Sequence, residues 1–347
     1  MTDIASEVGC SLMTVSRALR GAPRVADSTR QHIIATAIKL GYRPDPEVSR
    51  LMGHLRLNRT AQPETIAWIT SESTRDGWQD SPAYTELYTG AQAHAHSIGF
   101  QLQPYWLKEK NMTAKRLGSI LRNRGIRGVI VGPQPQSCTV IPNLGWEHFA
   151  AATCGFSLQE PRLHRACSQQ YQALSLAWDE LRKRGYRRIG FALSVESNLR
   201  TEGMWLSSFL ARQSTPSPTR FDIIPPLVLE QWDDRRFLAW FHQHRPDALI
   251  GWSDAAELLR KNGIPIPQTC AYALINTAGL ASPAAGVNHH MDALGAAAVD
   301  LVAEQLHHHR YGLPAIPKIV MVECSWSDGP DVPRRLEHKP GRRRTGK

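Results

Sequence analysis

The chain has 347 residues, 42% hydrophobic and 21% charged, with 41 Lys and Arg against 31 Asp and Glu for a formal net charge of +10. This exceeds one ordinary core, so a small module plus a larger body is expected. No apolar run approaches a membrane span and the N-terminus lacks a signal-peptide layout, which predicts a cytoplasmic protein without a membrane partner. The six cysteines (Cys10, Cys138, Cys154, Cys167, Cys270, Cys324) show no C-x-x-C spacing, which argues against a zinc site or a disulfide framework. The positive balance suits a polyanionic partner but does not choose among DNA, RNA and a membrane surface.

In chain order, Asp3 to Val8 put Ile4, Ala5 and Val8 on one helical face, and Gly9 supplies a stop. Ser11 is placed to cap a second helix in which Val15, Ala18 and Leu19 face inward while Leu12, Met13, Ser16, Arg17 and Arg20 point outward. Two helices joined by so short a Gly-containing turn form a helix-turn-helix, the second helix being the one that enters a major groove. A third helix reads from about Ser28 to Leu40, with Ile33, Ile34, Ala37 and Leu40 apolar and Gly41 as its stop. A plain helical bundle with a solvated basic face is the bland alternative, but it leaves Arg17 and its short polar neighbours unexplained. Arg17 can donate two bonds to guanine, and Thr14 or Ser16 can hold phosphates.

"DIASEVGCSLMTVSRALRG" followed by "RVADSTRQHIIATAIKLGYRPDP" resembles the lactose repressor (LacI/GalR) family of bacterial transcription regulators, almost position by position over residues 3 to 51. The resemblance implies that Leu12, Met13 and Arg17 read bases. Leu12 and Met13 are apolar and suit thymine methyls or groove shape more than hydrogen-bonding edges. Family members begin a few residues earlier with a Thr that caps helix 1, so either the start lies upstream of Met1 or helix 1 is weakened. Losing a cap costs about 1 kcal/mol.

After "GYRPDP", the prolines at 44 and 46 disfavour continuing helix 3, and Glu47 to Leu55 fits one short helix with Val48, Leu51, Met52 and Leu55 apolar. The resemblance implies a hinge helix that folds on DNA and wedges Leu51 into a minor-groove step, as apolar wedges do. The alternative is an ordinary linker with Leu51 packed on the body. Thr60 to Pro63 reads as the boundary.

From residue 64 strand-like runs alternate with helical ones: "TIAWIT", "AYTELYTGAQAHAHSIG", "FQLQPYWL", "TAKRLGSILRNRG" and "IRGVIVGP", then a second series from "YQALSLAWDELRKRGYRRIGFAL" to "CAYALIN". Alternation of this kind predicts parallel sheets covered by helices, in two similar lobes. Ligands of such sheets bind beyond the carboxyl ends of the strands. The resemblance implies a periplasmic-binding-protein-like sensor closing on a small effector. It matches Arg200 to an effector-contacting Arg and Ser253 to a position where Asn is common. Asn276 falls at a usual Asp, and Ser168 or Gln169 at another. Neither Ser nor Asn accepts hydroxyls with charge, which argues against a plain sugar. Trp78 and Trp252 can stack on a ring, and each fits plain packing equally well.

The usual nucleotide, hydrolase and zincin signatures are missing. His307-His308-His309 falls at the polar end of a helix, where cationic side chains suit the dipole and solvent, and neither this group nor His289-His290 has a nearby Cys or carboxylate cluster, so no metal or cofactor is expected. The fold class expected is an all-α helix-turn-helix headpiece with a hinge helix plus an α/β two-lobed sensor. The division is 1–45 DNA-binding domain, 46–60 hinge helix and linker, 61–330 effector-binding and dimerisation domain, and 331–347 basic disordered tail. The function expected is a homodimeric, non-enzymatic transcription regulator, most simply a repressor. It would bind a near-palindromic double-stranded operator under control of a small effector, carbohydrate-like or otherwise polar. Apolar positions in "YTELYTGAQAHA" are expected at the dimer interface. The rival is a ligand-binding protein whose DNA-binding domain is weakened or defunct.

Overall fold

The computed structural model describes residues 2–19, 25–42, 63–215, 221–280 and 283–335, and the chain divides into two compact units, Met1–Gln62 and Pro63–Lys347. The hinge expected over 46–60, Leu51 included, lies outside the described residues, as does the tail from 336 onward. Residues 331–335 are described and ordered into the body. Val332 is buried, the Asp331 carbonyl accepts from Tyr272 N at 3.0 Å, and Arg335 pairs with Asp247 at 2.7 Å.

In the N-terminal unit α1 (Thr2–Val8), α2 (Leu12–Leu19) and α3 (Asp27–Lys39) bury Ile4, Ala5, Val15, Ala18, Val25, Ile33 and Ala37 in one small core. Gly9, at φ +67°, sits in the left-handed conformation that a side chain disfavours, and it allows the chain to leave α1 and enter α2 within three residues. Two apolar positions of α3 expected in this core are not in it: Ile34 and Leu40 are 40% and 46% exposed, and Thr36 is buried instead. Three short helices enclose too little volume to cover more than a narrow stripe of α3.

The second unit holds two six-stranded sheets. The first runs β13-β7-β5-β3-β1-β2, all neighbours parallel, from β1 (Glu64–Thr70), β2 (Phe100–Trp106), β3 (Gly128–Val131), β5 (Ala150–Cys154), β7 (His164–Ser168) and β13 (Ile319–Val322). The second runs β14-β12-β11-β10-β8-β9, from β8 (Ile189–Ser194), β9 (Leu227–Leu229), β10 (Ala248–Gly251), β11 (Ala271–Leu274), β12 (Gly286–Asn288) and β14 (Ser325–Ser327), the last antiparallel. A small parallel pair joins β4 (Thr139–Val140) to β6 (Leu158–Glu160).

Helices cover both faces of each sheet, so the central strands are apolar on both sides. On the first sheet Ile66, Trp68, Ile130 and Ala152 pack under α4 (Pro82–Ser97) and α11 (Met291–His307), while Ala67, Ile69, Val129 and Ala151 pack with Leu117 and Leu121 of α5 (Ala114–Asn123). On the second, Ile189, Phe191 and Ile250 meet α6 (Gln170–Lys183) and α8 (Met204–Ser214). Leu249 and Tyr272 meet α9 (Asp234–His244) and α10 (Ser253–Lys261).

The apolar face of α4, expected at a dimer interface, is used within the chain: Leu87, Ala91 and Ala95 are buried against α11. Gly90 and Gly295 let these two helices touch backbone to backbone, since a Cβ on Gly90 would lie 2.6 Å from the carbonyl carbon of Asp292.

The chain passes between the lobes three times, at residues 168–170, 288–291 and 322–325. Hydrogen bonds tie these crossings together. Gln169 N donates to Val322 O at 2.8 Å, Cys324 N to Gln172 Oε1 at 2.9 Å, and His290 Nε2 lies 2.8 Å from Ser325 Oγ.

Candidate DNA-reading helix and inter-lobe cleft

Ser11 caps α2 by accepting from Thr14 N at 3.1 Å, and its Oγ also lies 2.9 Å from Thr14 Oγ1. The cap fixes the first turn, and burial of Val15 and Ala18 fixes which face turns outward. That outward face carries Leu12 and Met13, 51% and 61% exposed, and Arg17, one turn after Met13. Thr14 and Ser16 are half-buried. Large apolar side chains this exposed on a helix of a small module lack a packing role, and a guanidinium beside them gives the face both shape-reading and guanine-reading chemistry.

In the second unit the strands' carboxyl ends face one another across the inter-lobe cleft, as cross-lobe hydrogen bonds show. Arg200, just past α7 (Val195–Leu199) at the end of β8, donates from Nη1 to Gln134 O at 2.8 Å and from Nη2 to Tyr84 Oη. Its neighbour Glu196 accepts from Ser137 N at 2.7 Å and from Ser137 Oγ at 2.6 Å. Burial alone would raise the Glu196 carboxyl, but the Ser137 bonds and the Arg200 charge outweigh it and hold it below the ordinary carboxylate range. Gly279 N of the second lobe donates to Glu86 Oε2 of α4 at 2.9 Å.

The remaining residues expected at the effector site divide. Trp252, at the end of β10, is 39% exposed and meets Trp205 edge-on at 5.6 Å, while its carbonyl accepts from Tyr272 Oη at 2.7 Å. Asn276 is half-buried and closes its own turn by accepting from Ala278 N at 2.9 Å. Ser253 is exposed at the start of α10, its Oγ 3.5 Å from Asp254 Oδ1. Ser168 is buried at the first crossing. Trp78 is buried and packs on Tyr88 at 4.7 Å, inside the first lobe. Arg200, Trp252 and Asn276 thus follow carboxyl ends of second-lobe strands, and Trp78 serves packing.

Sequence reasoning missed Glu72. It stands two residues past the end of β1, is 8% exposed, and accepts from Ser71 N at 3.1 Å through Oε2, while Oε1 is buried with no partner. Burial raises its pKa above the usual carboxylate value, outweighing backbone hydrogen bonds and the charges of Lys108 and Arg200. A lone Glu in a polar loop carries no periodic signal. Its burial comes from Gly77 and Trp106 closing over it: a Cβ on Gly77 would lie 3.2 Å from Glu72 Cβ, and Trp106 Nε1 donates to Glu72 O at 3.0 Å.

The histidine pair differs from expectation in having a Cys beside it. His289 is buried, bonds Ile275 O through Nε2 at 2.8 Å and has Nδ1 3.7 Å from Cys324 Sγ. It is therefore a core group at the second crossing. Among the described residues no group of three or more His, Cys, Asp and Glu could hold a metal ion, and no helix is long and apolar enough to cross a membrane.

Residues 1–45 match the family of bacterial regulatory proteins, lacI family, and residues 178–324 match the periplasmic binding protein-like domain. The chain is 26% identical over 128 residues to the HTH-type transcriptional regulator DegA of Bacillus subtilis (strain 168), a stretch covering 37% of this chain and 34% of DegA. It is 32% identical over 111 residues to the HTH-type transcriptional regulator GalR of Lacticaseibacillus casei, covering 31% of this chain and 30% of GalR. The chain thus aligns with about a third of the length of each of these curated relatives. The fold is also that of the Lac repressor dimer solved with operator and the anti-inducer ONPF, at TM-score 0.54 and 16% identity, covering 95% of this chain and 98% of that one. The chain thus joins an N-terminal module that matches the lacI family of bacterial regulatory proteins to a two-lobed α/β body of which residues 178–324 match the periplasmic binding protein-like domain.

Proposed function

We propose that the protein is a sequence-specific, non-enzymatic transcriptional regulator, a cytoplasmic repressor that binds a near-palindromic operator as a homodimer and responds to a small effector in the inter-lobe cleft. The observation that carries the reading is the outward face of α2: Leu12, Met13 and Arg17 on the side away from the buried Val15 and Ala18, in a module that matches the lacI family. Two-fold pairing presents two such helices to two half-sites. Support for a dimer on operator comes from the Lac repressor, whose solved structure is a dimer bound to operator and to an anti-inducer. Lobe closure over an effector alters the crossings, and an effector that prefers one lobe arrangement shifts operator affinity by its differential affinity.

Selection of random duplexes by the purified protein at fixed salt tests this. A palindromic consensus is expected, and Arg17→Ala should lower affinity for it roughly tenfold to a hundredfold, the value of one bidentate guanine contact. Binding that is salt-sensitive, indifferent to sequence and unchanged by Arg17→Ala would refute the reading.

A further inference from the structure

The positions where the family resemblance implies hydroxyl-gripping carboxylates hold Ser168 or Gln169 and Asn276 in this chain, and none of these side chains carries a charge. Ser168 is buried, and Asn276 Oδ1 is engaged with Ala278 N. On the opposite wall Glu72 supplies what they lack. It is nine-tenths buried at the carboxyl end of β1, and Oε1 is the one buried carboxylate oxygen without a partner among the described residues. The adjacent Ser71 donates from Oγ to Gln134 Oε1, and Gln134 O accepts from Arg200 of the second lobe at 2.8 Å, so the group lies at the cleft and not beneath the sheet. A buried acceptor with no donor is costly to a fold and is retained where something else supplies the donor.

We propose that Glu72 anchors the effector, its Oε1 accepting a hydroxyl hydrogen from a neutral, hydroxyl-bearing ligand on the first-lobe wall of the cleft. The inference rests on the cleft being the effector site. Neutrality follows from the surrounding charges: a cation would meet Lys108 and Arg200, and an anion would meet Glu72 and Glu196. Among the described residues, the other buried side-chain atoms of the second lobe without a partner, Asn198 Oδ1, Gln170 Oε1 and Trp205 Nε1, carry no charge, so Glu72 is the charged acceptor of the set. Trp252, half-exposed beside Trp205, offers an apolar edge for a ring.

The test uses the full chain and Glu72→Gln. Without any ligand, Glu72→Gln should unfold in urea at pH 7.5 at the same or a higher midpoint, because it removes a desolvated charge with an unpaired oxygen. A lower midpoint would make Glu72 a structural carboxylate and overturn the proposal. Titration calorimetry then scans neutral sugars and polyols together with amino and carboxylate analogues of the same compounds. The tightest ligand should be neutral, and Glu72→Gln should weaken it roughly tenfold to a hundredfold, as expected for a hydrogen bond to a charged group. A charged best ligand, or no neutral binder, overturns the proposal. Trp252→Leu separates the two levels: affinity lost there but kept in Glu72→Gln overturns the anchor and spares the cleft, whereas affinity kept in both overturns the cleft as the effector site.

Discussion

Replacing Gly295 with alanine is expected to destabilise the body by about 3 kcal/mol, the upper part of the ordinary range for overpacking. Gly295 lies on α11 where that helix crosses α4. A Cβ there would sit 2.7 Å from Ala91 N and closer still to the Leu87 carbonyl oxygen. Both are backbone atoms of a helix, so no rotamer change relieves the clash and the helices must part. Parting them withdraws Leu87, Ala91 and Ala95 from Leu294, Ala298 and Val302, which are all buried in the largest core of the first lobe. The gap that opens is too small for water, so the atoms lining it forfeit dispersion attraction with nothing in exchange. Gly90 makes the reciprocal approach, with Asp292 against it, so Gly90→Ala should behave alike. The double variant should cost less than the sum, because one separation of the helices relieves both clashes. Urea midpoints with unchanged slopes measure this. A Gly295→Ala variant whose stability stays within about 0.5 kcal/mol of the parent, the scatter of surface substitutions, would show that the crossing is looser than described.

The same crossing shows what sequence could and could not disclose. Helical spacing located α1 and α2 to within a residue, because a three-helix module buries whichever stripe repeats at 3.6 residues, and Val15 and Ala18 fall on it. Strand and helix alternation located both sheets, since strands buried on two faces are written as apolar runs such as "GVIV". Partners far apart in sequence were not legible. The apolar face of α4 looked available for another subunit, and the segment that covers it, α11, begins some two hundred residues later. On α3 the adjacent Ile33 and Ile34 could not both face inward, and the pattern did not say which would. At the cleft, Arg200 and Asn276 were picked out by matching the pattern of the family the chain resembles, and Trp252 by its place after a strand's carboxyl end. Glu72 was not, because its significance lies in an oxygen left without a partner, which only packing reveals.

Acidification from pH 7 to 5.5 is expected to weaken the body through His289, and replacing that residue should flatten the dependence. His289 sits where the chain crosses back from the second lobe to the first, its Nε2 donating to Ile275 O and its Nδ1 facing Cys324 Sγ, with the Trp205 ring centroid 6.4 Å away. Burial pushes its pKa from 6.5 down to about 4, more than the Ile275 bond raises it, and the neighbouring His290 lowers it further. A histidine depressed in the folded state takes up a proton more readily when unfolded. The stability it contributes is therefore whole above pH 6.5 and is lost progressively as pH falls from there toward 4, about 3 kcal/mol across the whole interval. His164, half-buried at β7 and also lowered by burial, adds in the same direction. Glu72 and Asp179, both raised by burial, act oppositely, because a carboxyl that prefers its proton when folded gains stability as pH falls. Because His289→Gln leaves those carboxyls in place, the difference between its slope and the parent's isolates the histidine's share. His289→Gln, which keeps a donor for Ile275 O, should have a smaller pH slope whatever its absolute stability, and a slope equal to the parent's would place the acid-sensitive group elsewhere. If, as proposed, rearrangement at the crossings transmits effector binding to the DNA-reading helices, a proton on His289 would weaken that coupling. Operator binding measured with and without effector across the same pH range should then show the coupling shrink before the body unfolds.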